Sequence, residues 1–270
     1  MSFTIRQICL VADKLQPIIE DFSQVLKIEN CYSDPQVDFF GLENVLLPIG
    51  TDFIEIVAPI RDNTPAGRYL ERRSGNGGYM VLLQADSEET QASSLTRAKE
   101  MGIRVAFEGT LETYHFLQLH PADTGGSFLQ IDWDSQNQHN GYWYNAGGNG
   151  WKEYVNRDTV SAIVAVELQA EEPAFLAQRW GEILDIPVTN NKHGNPELVL
   201  NNGVIRVVTP EDGRGEGLGA VDLKVVNRKK LLASAQTRGL KVSDSQVIIC
   251  GVRFNLVQKK LQNAIQFDLK

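Results

Sequence analysis

The sequence predicts an α+β protein made of four βαβββ modules, paired into two domains with cupped mixed sheets. Three observations carry that expectation. One strand–helix–strands grammar recurs four times along the chain, two pairs of segments align without gaps between the halves, and a polar glycine-rich stretch separates those halves.

The first module opens with the strand "TIRQICLVA". Its helix, "LQPIIEDFSQVLKI", puts Ile18, Ile19, Phe22, Val25 and Leu26 on one face, and "NVLLPIG" and "DFIEIVAP" close it as strands. The second opens with "GGYMVLLQAD" and continues into "SEETQASSLTRAKEMG", where Ser87 suits an N-cap and Gly102 a C-terminal cap. It ends with "YHFLQLHP" and "SFLQIDW". The linker "DSQNQHNGYWYNAGGNGW" interleaves Asn, Gln and Gly with aromatics. The third module runs through "TVSAIVAVEL", the helix "EEPAFLAQRWGEIL", "ELVLNN" and "GVIRVVTP". The fourth runs through "GLGAVDLKVV", "RKKLLASAQTRG", "SQVIICG" and "VRFNLVQ".

Between the halves, "IEIVAP" (Ile54–Pro59) aligns with "IRVVTP" (Ile205–Pro210), setting Arg206 against Glu55. "GGYMVLLQ" aligns with "LGAVDLKV", setting Ala220 against Tyr79. The expected organisation is a first domain over 1–135 that carries the ligand cup, a linker over 136–157, and a second, degenerate domain over 158–270.

The 270 residues, 42% hydrophobic and 22% charged, suffice to bury a substantial core. A net charge of -8 gives no general attraction for phosphate backbones, so no nucleic-acid partner is expected. Arg72-Arg73 and Arg228-Lys229-Lys230 read as solvated helix ends. Cys9, Cys31 and Cys250 follow no CxxC spacing and imply neither a disulfide framework nor a zinc knuckle. "MSFTIRQICLVADK" alternates like a strand and lacks the pattern of a signal peptide. No apolar run reaches the ~20 residues of a membrane span, so a cytoplasmic protein without a membrane partner is expected. A homodimer is compatible with this composition.

The stretches "DFIEIVAPIRDNTPAGRYLERRSGNGGYMVLLQAD" and "LHPADTGGSFLQIDW", with its HP-x-x-TGG hairpin, resemble the vicinal-oxygen-chelate superfamily and are most similar to its methylmalonyl-CoA epimerase-like branch. The resemblance covers about Thr4 to Trp133. The second half follows by module grammar, as in two-domain glyoxalase-like proteins of bacteria. The resemblance implies a cup formed by two paired modules, with a divalent metal held by one side chain from the first and one from the last strand of each. Carried over, those positions are Gln7, Glu55, Tyr79 and Gln130, of which only Glu55 keeps the usual residue type. One carboxylate without imidazole argues against a tight transition-metal site, so no cofactor is expected. A weak divalent ion at Gln7, Glu55 and Gln130 is the lesser alternative. In the second half the matching positions, near Ser161–Ile163 and at Arg206, Ala220 and Asn255, lack the two His and one carboxylate of an extradiol dioxygenase.

If those four positions face the cup, strand alternation adds Cys9, Phe53, Val57, Val81 and Phe128, a mostly apolar lining for a small organic ligand. Glu55 is then the expected proton-abstracting base, its pKa raised by burial, with Tyr79 and the glutamines as polar orienters. His115 is the remaining candidate for acid–base work. His120 reads as a turn residue, and His139 and His193 as solvated. Gly215–Ala220 has a GxGxxA spacing but leads into a strand, which argues against a dinucleotide site. The aromatic run Tyr142, Trp143, Tyr144 and Trp151 is expected to pin the linker. The leading functional expectation is a metal-independent enzyme of isomerase, epimerase or lyase type. The alternative is a non-catalytic sequestering protein of the bleomycin-resistance type.

Overall fold

The structure is a computed structural model that describes residues 2–258. Its first half contains β1 (Phe3–Val11), α1 (Leu15–Asp21), β2 (Leu42–Ile49), β3 (Asp52–Pro59), α2 (Pro65–Arg73), β4 (Gly77–Ala85), α3 (Glu88–Glu100), β5 (Val105–Leu111), β6 (Tyr114–Leu119) and β7 (Phe128–Asp134). These strands form one seven-stranded sheet in the order β2-β3-β1-β4-β7-β6-β5. The pairs β1–β3 and β4–β7 are parallel, and the central β1–β4 pair is antiparallel, so the two modules are related by a pseudo-twofold axis between β1 and β4.

The second half repeats the plan with β8 (Val160–Gln169), α4 (Pro173–Leu184), β9 (Val188–Asn190), β10 (Pro196–Val199), β11 (Val204–Val208), β12 (Gly217–Val225), α5 (Arg228–Thr237), β13 (Gln246–Ile249) and β14 (Val252–Val257). Its sheet runs β13-β14-β12-β8-β11-β10-β9. The second and third modules have all four strands, whereas the first and fourth have three. Isolated bridges, Tyr32 to Leu46 and Val242 to Val247, stand where the fourth strand would pair. In the first module Asn30 bonds the Tyr32 N–H, and Asp34 caps a 3-10 turn over Pro35–Phe40 by accepting the Gln36 N–H. Side chains that satisfy local backbone donors leave no ladder to extend there.

The helices form as their sequences dictate. Ser87 accepts the Thr90 N–H at 3.1 Å to start α3, and Gly102 takes φ +70° just past its end. In the first module α1 widens into a π-type turn over Phe22–Leu26, which stays buried. Helices α1, α3, α4 and α5 pack on the face of each sheet opposite its cup, whereas α2 packs beside the first cup through Ala66 and Tyr69. One apolar cluster runs through residues of both sheets, among them Ile8, Leu10, Trp180 and Phe254. The halves therefore share a core.

Polar contacts lock the same junction. Asn202 bonds both the N–H and the carbonyl of Ile5, each at 2.9 Å, beside the bulge at Arg6. Arg73, which the sequence suggests is solvated, is buried instead and donates to the carbonyls of Arg214 and Glu216. Arg214 in turn reaches the carbonyls of Asn76 and Gly251. The glycine-rich segment before β12 is thus an inter-half clamp. Among the described residues no helix is long and apolar enough to cross a membrane.

Candidate functional site

The face of the first sheet turned away from α1 and α3 encloses a cavity of about 670 Å³, a typical small-ligand volume. Gln7 and Cys9 of β1, Asn44 of β2 and Glu55 of β3 form one side of its floor. Gln118 of β6 and Gln130 of β7 form the other. Met80, Leu82 and Phe128 lie between, and Phe40, Phe107 and Phe116 rise towards the mouth.

Glu55 is almost wholly buried, at 7% exposure, and both its oxygens are engaged. Gln7 Nε2 donates to Oε2 at 2.8 Å and Asn44 Nδ2 to Oε1 at 2.7 Å. Gln7 Oε1 accepts the indole N–H of Trp143 at 2.8 Å, which ties the linker to the floor. Burial raises the Glu55 pKa. The bonds from Asn44, Cys9 and Gln7 oppose that rise and Asp34 adds to it.

A second buried carboxylate, Asp132, lies beneath Gln130 and was not anticipated. Gln130 Nε2 donates to Tyr114 Oη at 3.1 Å and to both Asp132 oxygens at 2.9 and 3.0 Å, while its Oε1 accepts from Gln118 at 2.8 Å. Desolvation pushes the Asp132 pKa up to about 8 against the bonds from Tyr114 and Gln130. Asn145 of the linker bonds Tyr114 Oη at 2.9 Å. Two signals for this cluster were present in the sequence. Asp132 follows Gln130 by two in "FLQIDW", and Tyr114 precedes Gln118 by four in "YHFLQL".

The structure gathers Gln7, Cys9, Glu55, Val57, Tyr79, Phe128 and Gln130 at this cavity and leaves three expected residues out. Val81 faces the shared core, because a β-bulge shifts the phase of β4: Cys9 pairs with Met80 and Leu10 with Gly78, leaving Tyr79 as the extra residue. Met80 and Leu82 therefore occupy the cup face, while Tyr79 packs between Tyr69 and Phe128 at its side. Phe53 lies on the correct face but is sealed beneath Trp151, their rings 5.2 Å apart. His115 points to the opposite face, 4.8 Å from the Trp133 ring and 3.3 Å from the Thr110 hydroxyl, since Tyr114, Phe116 and Gln118 take the cup side of β6. His120 holds its turn by accepting the Ala122 N–H, and His139 is half-buried near Arg6 rather than solvated. In the linker Trp143 and Trp151 are buried pins, whereas Tyr144 stacks on Tyr114 at 4.9 Å and lines the cavity.

The second sheet lines its cup with ion pairs, beside a polar cavity of about 890 Å³ bordered by Glu197, Arg206, Asp222 and Arg228. Arg206 pairs with Glu167 at 2.9 Å and with Asp222 at 3.0 Å, and Arg253 pairs with Glu167 at 2.6 Å. Asn255 donates to Asp222 at 2.6 Å. In register, Arg206 lies beside Glu167 as Glu55 lies beside Cys9. Ala220 corresponds to Met80, one residue from the ungapped alignment, because β12 carries its own bulge between Leu218 and Ala220.

A crystal structure of a hypothetical protein from Staphylococcus aureus superposes over 96% of this chain and 100% of its own, with a TM-score of 0.64 and 14% identity. The chain has the vicinal-oxygen-chelate fold. Methylmalonyl-CoA epimerase in complex with methylmalonyl-CoA aligns with 51% of the chain (99% of its own) at a TM-score of 0.44 and 16% identity. The epimerase from Mycobacterium tuberculosis aligns with 48% (87% of its own) at 0.41 and 18%. No family model matches the chain. No curated protein matches it either.

The vicinal-oxygen-chelate fold implies a divalent metal in the cup, and the donors here do not suit one. Gln7 Oε1 and Gln130 Oε1 already accept from Trp143 and Gln118, and both Glu55 oxygens accept amide N–H groups. Met80, a thioether, replaces an oxygen donor on the β4 side. Among the described residues no three His, Cys, Asp or Glu side chains converge as a ligand set.

Proposed function

We propose that the first cup is a binding site for a small, largely apolar organic molecule, which it holds without chemical change. One observation supports this above the others: the amides flanking Glu55 donate to it, and Gln7 also accepts from Trp143, instead of being turned towards the cavity. Proton abstraction next to a carbonyl needs a base and also a preorganised donor for the enolate oxygen, and amides committed in this way supply no such donor. What remains for a ligand is aromatic and aliphatic wall with one carboxylate at the floor. This reading favours the sequestering alternative over the isomerase or lyase expectation, and it suits a cytoplasmic protein. Since fold alone assigns no chemistry, the site carries the proposal.

A specific observation supports the enzymatic reading as the second one. Glu55 has a pKa raised by burial, and Tyr79, a phenol, lines the same cavity. Native mass spectrometry of the intact protein against a library of small aromatic compounds separates the two. Sequestration predicts 1:1 adducts for the wild type, none for a cup-filling Leu82→Trp variant, and ligand recovered unchanged after long incubation. A compound that is converted, with conversion abolished by Glu55→Gln, would overturn sequestration in favour of proton transfer.

A further inference from the structure

We infer that the ligand of the first cup is a lipophilic organic cation, such as an aromatic amine or a quaternary onium ion. The inference rests on the binding role proposed above and adds the charge of the molecule bound. It comes from what the cavity contains and what it lacks. Glu55 and Asp34 are its ionisable carboxyl groups, and no Lys, Arg or His lines it among the described residues. The neighbouring guanidinium groups lie outside the lining: Arg61 bonds the Phe39 carbonyl at the rim at 3.3 Å, and Arg72 lies over the Tyr69 ring at 5.3 Å, behind Tyr79. An anion descending to the floor would give up its hydration beside a carboxyl group with no cation in the lining to compensate.

The aromatic wall points the same way. Phe40 meets Phe107 at 5.2 Å, Phe107 stacks on Phe116 at 5.1 Å, Phe116 lies 6.0 Å from Tyr114, and Tyr114 stacks on Tyr144 at 4.9 Å. The wall begins outside the cup at Phe39, which is 76% exposed. Ring faces carry the negative end of the aromatic quadrupole and attract a desolvated cation. A run of aromatic rings along one wall of a cavity whose floor also holds a buried carboxyl group suits a positive, apolar molecule. Glu55 supplies the partner charge, and the amides of Gln7 and Asn44 hold it in place. The net charge of -8 draws cations towards the protein as a whole.

Tetraphenylphosphonium, tetraphenylborate and neutral triphenylphosphine oxide have similar shapes and opposite or no charge. Isothermal titration of the full chain with all three is the test. The cation is expected to bind at 1:1 and roughly tenfold or more tighter than the neutral compound, with no borate binding. Glu55→Gln should bring the cation to the level of the neutral probe. Phe107→Ala, at the mouth and away from the floor network, should weaken the cation more than the neutral probe and thereby tests the claim even if Glu55→Gln fails to fold. Equal binding of cation and neutral probe, or preference for the borate, would overturn the cation assignment while leaving small-molecule binding intact. Binding of none of the three would overturn both.

Discussion

Glu55 and Asp132 are buried carboxyl groups on the two sides of the first cup's floor, and their surroundings assign them different work. Glu55 reaches the cavity, while Asp132 is sealed beneath Gln130 and Tyr114. An unfolded Asp titrates near ~3.9, whereas folding pushes Asp132 up to about 8, so the native state holds the extra proton between those values. Stability contributed by this group is therefore lost as pH rises from about 4 to about 8 and is level above that. Asp132→Asn should remove that slope, and urea melts at pH 5 and pH 8.5 should show the variant gaining on the wild type at the higher pH. Asp52, which burial pushes up to about 7 against the opposing charge of Arg6, contributes a similar slope and persists in the variant. At Glu55 the raised pKa has the opposite consequence for ligand: a cation should bind more tightly as pH rises and the carboxyl ionises, as read by titrations across a pH series. Of these residues, Glu55 was legible as an isolated Glu in a strand that matches "IRVVTP". Asp132 was missed because a buried Asp next to Trp133 gives no local pattern beyond strand alternation.

At the scale of elements, what sequence reasoning found was periodicity, and what it missed was phase. The helix of each module and the strands of each half follow from apolar spacing and capping residues such as Ser87 and Gly102. The bulge at Tyr79 does not, since "GGYMVLLQ" is apolar at nearly every position and its two faces read alike. That slip exchanged Val81 for Met80 and Leu82 in the cup. "YHFLQL" was ambiguous in the same way, and the phase was set by Leu117 and Leu119 entering the core, which carried His115 to the outer face. His115→Ala should accordingly leave ligand affinity within about twofold, with a stability change of about 1 kcal/mol or less as for other half-exposed positions, read by titration and thermal melts. Trp143→Phe tests the linker as a structural part of the cup. Losing the indole donor strands Gln7 Oε1, and a cost of about 1–3 kcal/mol is expected in chemical denaturation.

Over the whole molecule, a duplicated architecture has specialised into one apolar cup and one lined with ion pairs. Four modules and two halves were legible from repetition, but the charged lining of the second cup was not, because Glu167 and Asp222 meet Arg206, and Arg253 meets Glu167, only through strand register. The ion pairs tie that half together. Arg206→Ala leaves Glu167 and Asp222 facing each other and should cost about 3 kcal/mol in denaturant melts, without altering ligand affinity in the first cup. The shared core and the Arg73–Arg214 clamp imply one cooperative unit. Residues 1–135 expressed alone would expose Phe22, whose ring meets Phe254 of the second half at 5.5 Å, and should show no cooperative thermal transition.

The most direct test of a single, cation-accepting cup is a crystal structure of the full chain with tetraphenylphosphonium. The account predicts the phosphonium in the first cup against Tyr114, Phe116 and Phe107, with Glu55 as its counter-charge and the Arg206 cluster of the second cup intact. A phosphonium seated in the second cup, with the first cup empty, would contradict it.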